Sequence, residues 1–345
     1  MVDSYQNKQM DAQEHWMIHL QRVYYPVLAT IGIPSNIACF LIFWRRKCML
    51  SKSSTLYLMA IAVADTAVLL YIVVLEFCVK LYTVEPFWSR EPWCSMRDVF
   101  NYGVYNVATW LVVTFTAERF LAITTWNLKN RICNSRSAFR VIGVVFVVSH
   151  LLAVPYYWAY VSVYNKNKQK WVCIYRQDSP IEYGLAMVTI QTTMSHVLPY
   201  IFIGVLNGLT LRQISLSNRV QVAETCRSTS IQKVTPLLRS RMRKSVMLLV
   251  TVSMTFVLLS ITRSITQFIL RTTDMYVDRE DYRLVINVVA DIGTMLSLTN
   301  AAVNMYLYAC TQAKFRQEVI ACVKHCLWTG CLVRNGPSSC PAGHP

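Results

Sequence analysis

The sequence predicts an all-α membrane protein, built as a bundle of seven transmembrane helices. Of the 345 residues, 54% are hydrophobic and only 15% are charged, whereas a soluble domain carries about 25% charged residues. Seven stretches are long and apolar enough to cross a bilayer, which takes about 20 residues per helix. The basic residues also collect in alternate connecting segments, as they do when successive helices cross a membrane in opposite directions.

The seven apolar stretches are the predicted transmembrane helices. They are residues 23–44, 55–81, 94–124, 138–157, 183–211, 244–270 and 282–310. A helix is the expected form because every backbone polar group in the hydrocarbon must find its partner within the segment. The spans divide the chain into an N-terminal segment 1–22, a transmembrane domain 23–311 and a C-terminal segment 312–345.

The charge distribution predicts the orientation. With the C-terminus placed inside, the three inner loops and the tail hold most of the Lys and Arg, and the outer segments are balanced. The net charge of +16 could otherwise indicate nucleic-acid binding. Because the excess lies on one side of the membrane, we exclude nucleic acid and expect contact with membrane lipids. The segment 1–22 is therefore predicted to be extracellular and 312–345 cytoplasmic.

Polar residues recur at helical spacing on three of the spans. They are Asp65 and Glu76 on the second, Ser260, Arg263 and Gln267 on the sixth, and Asn300, Asn304 and Tyr308 on the seventh. Such stripes face the interior of a bundle. There the polar side chains either bind a ligand or join helices through hydrogen bonds worth under about 1 kcal/mol each. We assign Asn300 to helix joining. Arg263 is assigned a function, because an unpaired guanidinium in a bilayer is costly.

Cys94 and Arg119 mark the two ends of the predicted third helix. At about 1.5 Å per residue, the segment between them is long enough to cross the membrane. Cys94 would then face the oxidising side and could bridge Cys173, the only cysteine in the loop after the fourth span. Arg119 would lie at the cytoplasmic end beside Glu118.

Several short motifs follow one another along the chain. They are GIPSN at 32–36, AIAVAD at 60–65, TAERFLAI at 116–123, Pro199 and NMYLY at 304–308. In that order they resemble the GN, LAxxD, DRY, fifth-helix proline and NPxxY motifs of rhodopsin-like (class A) G-protein-coupled receptors. Phe315 and Arg316 resemble the start of that family's short cytoplasmic amphipathic eighth helix. VPYYW at 154–158, Asn207 and Arg263 further resemble an orphan branch near the aromatic amino-acid-sensing receptors.

The resemblance implies a plasma-membrane receptor that passes the binding of an extracellular ligand to a heterotrimeric G protein, without a cofactor. The ligand would enter between helices three, five, six and seven. Ligand-binding candidates at matching depths are Asn101, Tyr102, Tyr105, Gln191, Thr192, Arg263, Gln267 and Thr294. Candidates for activation and G-protein coupling are Asp65, Glu118, Arg119, Asn300, Asn304 and Tyr308.

Arg263 has two possible roles at this point. It could hold a ligand carboxylate bidentately, or it could form an internal ion pair with Glu76 or Asp291. A biogenic amine receptor would be expected to carry Asp where Asn101 stands, and an opsin needs a lysine that the seventh span lacks. A small acid, an amino acid or a short peptide stays open as the ligand.

Some motif residues differ from the family pattern, and these differences leave other functions possible. Ser260 and Thr262 stand where the sixth-helix motif carries Trp and Pro, and Met305 replaces the NPxxY proline. A receptor-like protein that does not signal is therefore one alternative. A transporter or channel is another alternative. Such a protein would be expected to have broken helices rich in Gly and Pro, or internal repeats, and neither is evident in the sequence.

We expect neither an enzyme nor a metal site. The sequence contains no GxSxG, HExxH or Walker-type run and no CxxC pair. His196 has apolar flanks and is expected to be a packed helix residue. In the C-terminal segment, Cys322, Cys326 and Cys331 are either palmitoylated or free reduced cysteines.

Overall fold

The structure is a computed structural model that describes residues 15–45, 50–124, 133–166, 169–176, 178, 180–225, 235–273 and 281–335. Within these residues, seven helices are long and apolar enough to cross a membrane, which confirms the predicted fold class. They are α1 (Trp16–Trp44), α2 (Lys52–Tyr82), α3 (Trp93–Thr124), α4 (Ser135–Trp158), α5 (membrane span Ile181–Leu216), α6 (Thr235–Thr273) and α7 (Val285–Thr311). An eighth helix, α8 (Ala313–Asn335), follows α7 after one residue.

Several helices extend beyond the apolar stretches from which they were predicted. The first begins at Trp16 rather than at residue 23, because the His15 side chain accepts a hydrogen bond from the Met17 amide and Met17 is fully buried. The backbone of α5 continues to Thr225, and α6 already begins at Thr235. The apolar stretch marks only the part of a helix that lies in the hydrocarbon of the bilayer. The helix can continue into water if its residues favour helix formation.

A β-hairpin, which we had not predicted, lies between α4 and α5. Its strands, β1 (Tyr160–Asn165) and β2 (Lys170–Tyr175), are antiparallel, and Ser162 pairs with Cys173. Cys173 forms a disulfide with Cys94 at the start of α3, as predicted from the sequence. We call this end of the bundle the disulfide end, and the opposite end of α3 the Arg119 end.

Small residues bring the helices of the bundle close together. An added Cβ on Gly32 of α1 would lie 2.9 Å from the Ala302 Cβ of α7, and one on Gly293 of α7 would lie 2.8 Å from the Arg263 backbone nitrogen of α6. Such close approach is the usual way in which membrane helices gain packing energy, because lipid is as apolar as the side chains. The position of Arg263 therefore depends on α7.

The eighth helix is attached to the bundle by an aromatic cluster at the Arg119 end. Phe315 of α8 is buried, and its ring lies 5.1 Å from that of Phe43 and 5.6 Å from that of Tyr308 between centroids. Cys322, further along α8, also packs against this core. The side chains of Cys326 and Cys331 lie outside the described residues.

Two helices contain π-helical turns. In α2 they run over Leu69–Cys78, and in α5 over Thr193–Val197. A π turn takes more than 3.6 residues, so it rotates the following residues relative to an ideal α-helix. The side of α2 that carries Glu76 is set by this rotation.

Candidate functional site

A cavity of about 460 Å³ lies at the disulfide end of the bundle. Its walls come from α1, α2, α3, α6 and α7, together with Tyr160 of β1 and Tyr282, which precedes α7. Six of the predicted ligand-binding residues line it: Asn101, Tyr102, Tyr105, Arg263, Gln267 and Thr294. The structure therefore brings most of that set to one place.

Gln191 and Thr192 of α5 are not among the described residues that line this cavity. The Gln191 amide donates a hydrogen bond to Asn106 Oδ1 of α3 (3.1 Å) and another to Ser195 Oγ (2.5 Å). The bond to Asn106 joins α5 to α3 on this side of the bundle. The described helical residues that line the cavity thus come from helices one, two, three, six and seven, whereas entry of a ligand between helices three, five, six and seven stays a prediction.

Arg263 of α6 is the cationic group on one wall of the cavity. Its guanidinium carbon lies 4.7 Å from the centroid of the Tyr105 ring, a distance at which a cation is attracted to an aromatic face. Its Nη1 atom is buried and has no hydrogen-bond partner within the described residues. In the same part of the chain, no ion pair joins Arg263 to Glu76 or Asp291. The internal ion pair that the sequence left open is therefore not formed.

Three acids line the cavity in different settings. Asp291 of α7 accepts hydrogen bonds from Gln21 and from the Tyr282 hydroxyl, both at 2.7 Å. Asp98 forms an ion pair with Arg97 at 3.0 Å. Glu76 of α2 accepts a hydrogen bond from the Asn101 side-chain amide. The cavity is thus lined by charges of both signs, and Arg263 forms no ion pair with any of these three acids.

Further along the bundle, Asp65 of α2 and Asn304 of α7 form a buried pair. The Asn304 amide donates a hydrogen bond to Asp65 Oδ2 at 2.6 Å. A small cavity of about 30 Å³ beside them is also lined by Asn300 and by Tyr105, which ties this pair to the floor of the larger cavity. Three of the predicted activation residues therefore lie together.

Glu118 and Arg119 form a second group at the Arg119 end. The Arg119 guanidinium pairs with the Glu118 carboxylate, which also accepts a hydrogen bond from Ser53 Oγ at 2.8 Å. Arg119 Nη2 donates to Ser51 Oγ at 3.3 Å. Since Ser51 caps the first turn of α2, the contact joins the end of α3 to the start of α2.

Tyr308, the last predicted activation residue, lies one helical turn beyond Asn304 on α7. It is buried against Phe43 and Phe315, and its hydroxyl has no hydrogen-bond partner in the described part of the chain. His196 is buried between the rings of Tyr105 and Tyr200, at 5.8 and 6.0 Å. It packs inside the bundle as expected.

The sequence interpretation missed a set of hydrogen bonds between α5 and α6. The Tyr200 hydroxyl donates to Ser260 Oγ at 2.9 Å and lies 2.6 Å from Ser264 Oγ, and the Asn207 amide donates to Ser253 Oγ at 2.7 Å. Ser260 is the residue that stands where Trp was expected. The signal was present, because Tyr200 and Asn207 share one face of α5, as the three serines share one face of α6.

These features define a class of protein: a multi-pass membrane receptor, with a cavity at one end and an Arg–Glu pair at the other. A family model described as 7 transmembrane receptor (rhodopsin family) matches residues 35–308, so the chain belongs to the rhodopsin-like G-protein-coupled receptors. Members of this family are receptors and not enzymes.

Proposed function

We propose that the protein is a plasma-membrane receptor that binds an acidic ligand in the disulfide-end cavity and activates a heterotrimeric G protein at the Arg119 end. Family membership supports the receptor role. The position and size of the cavity support it as the binding site, and the cationic nitrogen on its wall, which has no described hydrogen-bond partner, supports an acidic ligand. Activation and coupling are assigned to Asp65, Glu118, Arg119, Asn300, Asn304 and Tyr308.

The observation that carries the ligand class is the Arg263 Nη1 atom, which has no hydrogen-bond partner among the described residues and lies beside a cavity of about 460 Å³. A buried guanidinium nitrogen without an acceptor is unfavourable, so a ligand that supplies one gains binding energy. A carboxylate fits best, because its two oxygens match the planar fork of the guanidinium. A small acid, an amino acid or a short peptide carries such a group. A closer relation to the aromatic amino-acid-sensing receptors stays a prediction.

The contacts of α6 explain how binding can reach the other end of the molecule. Arg263 lies on α6, whose backbone touches Gly293 of α7 and whose serines bond to Tyr200 and Asn207 of α5. A ligand bound to Arg263 therefore changes how α6 packs against α5 and α7. It shifts a pre-existing equilibrium toward the arrangement that it binds more tightly. Release of Arg119 from Glu118 and Ser51 would then free it for the G protein.

The disulfide supports a proposed orientation of the chain in the membrane. Disulfides persist in oxidising compartments, so we place the disulfide end outside the cell and the Arg119 end in the cytoplasm. The excess of Lys and Arg in the segments at the Arg119 end agrees with this placement. The segment 1–22 is then extracellular, and 312–345 is cytoplasmic.

A G-protein dissociation assay in cells tests this function. The wild type is compared with Arg119→Ala and Arg263→Ala over a panel of amino acids, small acids and short peptides, with surface expression measured for each variant. We expect Arg263→Ala to raise the ligand concentration needed for a response, and Arg119→Ala to reduce the maximal response. Lys166→Ala, an exposed change after β1 that lies outside the cavity and away from the Arg119 end, should behave as the wild type.

A receptor that does not signal is the second candidate, because α6 and α7 are continuous through Thr262 and Met305, where the family's motifs carry proline. Surface-expressed wild type that stays silent with every G protein and every ligand would favour it. A response that is unchanged in Arg263→Ala would remove the carboxylate proposal and leave the receptor role.

A further inference from the structure

We infer that Glu76 binds a cationic group of the ligand, so that the ligand carries a positive charge as well as its acid. This inference rests on the proposed function, since it uses the same cavity as the ligand site. It adds a binding residue on α2, on a different helix from Arg263 of α6, and it narrows the ligand to compounds with two opposite charges.

Glu76 lies on the π-helical part of α2 and lines the cavity. One carboxylate oxygen, Oε2, accepts a hydrogen bond from the Asn101 amide. Within the described residues, the carboxylate forms no ion pair with any Lys, Arg or His. An amide orients a carboxylate but does not neutralise it, so a negative charge is presented to the cavity.

The cations near Glu76, which are Arg97, Lys80 and Arg263, act on its carboxylate through space, but none of them forms an ion pair with it. Arg97 pairs with Asp98, and its guanidinium carbon lies 5.2 Å from the centroid of the Tyr160 ring. Lys80, one turn further along α2, also lines the cavity, but it is exposed and makes no ion pair with Glu76. A carboxylate at the edge of a bilayer with no cation in contact favours binding of one.

The contact with Glu76 changes the role assigned to Asn101. In the sequence, its place on α3 argued against an amine ligand, since no acid was there to act as counter-ion. The structure shows that Asn101 holds the carboxylate of Glu76 beside it. The counter-ion for an ammonium is therefore supplied from α2, and Asn101 acts as its positioning residue.

The charges of Glu76 and Arg263 are complementary to a zwitterion. Each lines the cavity, each lacks an ion-pair partner in the described part of the chain, and they do not pair with each other. A ligand with an ammonium and a carboxylate would satisfy both. An acid without a cation would leave Glu76 unpaired and would bring a second negative charge close to it.

Binding to the purified full-length receptor in detergent tests the inference without any G protein. The midpoint of thermal unfolding is measured with three matched probe sets at millimolar concentration: free amino acids, the same with the amine acetylated, and the same with the carboxylate amidated. We expect free and amidated probes to raise the midpoint of the wild type, and acetylated probes to do so least. In Glu76→Gln, the affinity for amine-bearing probes should fall by roughly 30-fold or more.

Controls separate binding from folding. Glu182→Gln, an exposed change at the start of α5 outside the cavity, should keep the wild-type preference. Glu76→Asp should restore part of the preference for amines. Without any probe, Glu76→Gln should unfold at a midpoint no lower than the wild type, because it removes an unpaired charge and keeps the hydrogen bond to Asn101.

Three results would overturn the inference: no shift of the wild type by any amine-bearing probe, equal shifts for free and acetylated probes, or unaltered amine binding by Glu76→Gln. A lower ligand-free midpoint for Glu76→Gln would also count against it, since that would indicate an internal structural role. Because no signalling is measured, amine binding in a receptor that fails to activate a G protein would contradict only the coupling proposed above.

Discussion

Asp65 and Arg263 are two ionisable residues within the bundle whose surroundings differ. Asp65 is 6% exposed, and its carboxylate accepts a 2.6 Å hydrogen bond from Asn304. The Arg263 Nη1 atom has no such partner in the described residues. A buried polar group that is satisfied internally joins helices, and one that is not satisfied is available to a ligand. Asp65 therefore belongs to the α2–α7 contact and Arg263 to the cavity.

The Asp65–Asn304 pair leads to a prediction at the scale of single residues. Asn304→Ala leaves the buried carboxylate without its donor, which should cost about 1–3 kcal/mol of stability. We expect a lower midpoint of thermal unfolding. Adding Asp65→Asn in the same chain should recover much of the loss, because it removes the unpaired charge. Asn300→Ala is the matched control on α7, and an equally large drop there would contradict the special role of the pair.

At the scale of elements, α6 and α7 are held at a distance that only glycine permits. A Cβ on Gly293 would lie 2.8 Å from the Arg263 nitrogen, a backbone atom that cannot rotate away. Gly293→Ala must therefore separate the helices or shift Arg263, and we expect a loss of about 1–3 kcal/mol together with weaker ligand binding. Thermal unfolding and ligand titration measure the two effects.

Gly204→Ala on α5 is the matched control, because its added Cβ would meet nothing within 4 Å. Replacing that glycine by alanine should leave stability unchanged or raise it by up to about 1 kcal/mol, since alanine favours a helix. If both variants behave alike, close α6–α7 packing is not what Gly293 provides.

The α5–α6 contact gives a second prediction at this scale. Tyr200→Phe removes the hydroxyl that bonds to Ser260 and Ser264 but keeps the ring, which packs against Phe256 with centroids 6.1 Å apart. We expect a loss of about 0.5–1.5 kcal/mol and a higher basal signal in the G-protein assay, because α6 is less firmly held to α5. Tyr157→Phe, an exposed change on α4, should alter neither. A basal signal equal to that of the wild type would show that these bonds do not restrain activation.

At the scale of the whole molecule, the disulfide holds the β-hairpin to the start of α3. It links Cys94 and Cys173 across 79 residues of chain. Replacing either cysteine by serine should cost about 2–4 kcal/mol and reduce surface expression. The double variant should be no worse than the single ones, since one bond is lost in each case. Cys310→Ser changes a free, exposed cysteine and should have no such effect; an equal effect would show that the loss is not specific to the bond.

The orientation of the whole chain is tested by epitope tags. A tag at the N-terminus should bind antibody on intact cells, and a tag at the C-terminus should bind only after permeabilisation. The physical reason is the excess of Lys and Arg at the Arg119 end, which resists transfer across the membrane. Exposure of the C-terminal tag on intact cells would reverse the proposed sides of the cavity and of the coupling end.

The sequence by itself determined the number of membrane helices, their order and the Cys94–Cys173 pairing. The helices are local properties, since about 20 apolar residues must form a helix in a bilayer whatever their neighbours do. The pairing joins distant residues, and it was predicted because both cysteines fall on the oxidising side of the membrane. Most of the residues predicted from their depth to bind a ligand line one cavity, and their binding of a ligand stays a prediction. Depth is set by position in the chain and changes little with packing.

Only the tertiary structure decided which polar groups meet. The rotation of each helix about its axis depends on its neighbours and, in α2 and α5, on π turns that the sequence pattern does not reveal. That rotation directs Glu76 to Asn101 and turns Gln191 away from the cavity to Asn106. It also leaves Arg263 Nη1 without a hydrogen-bond partner among the described residues. Hydropathy is a property of single segments, whereas a binding site is made by side chains from several helices.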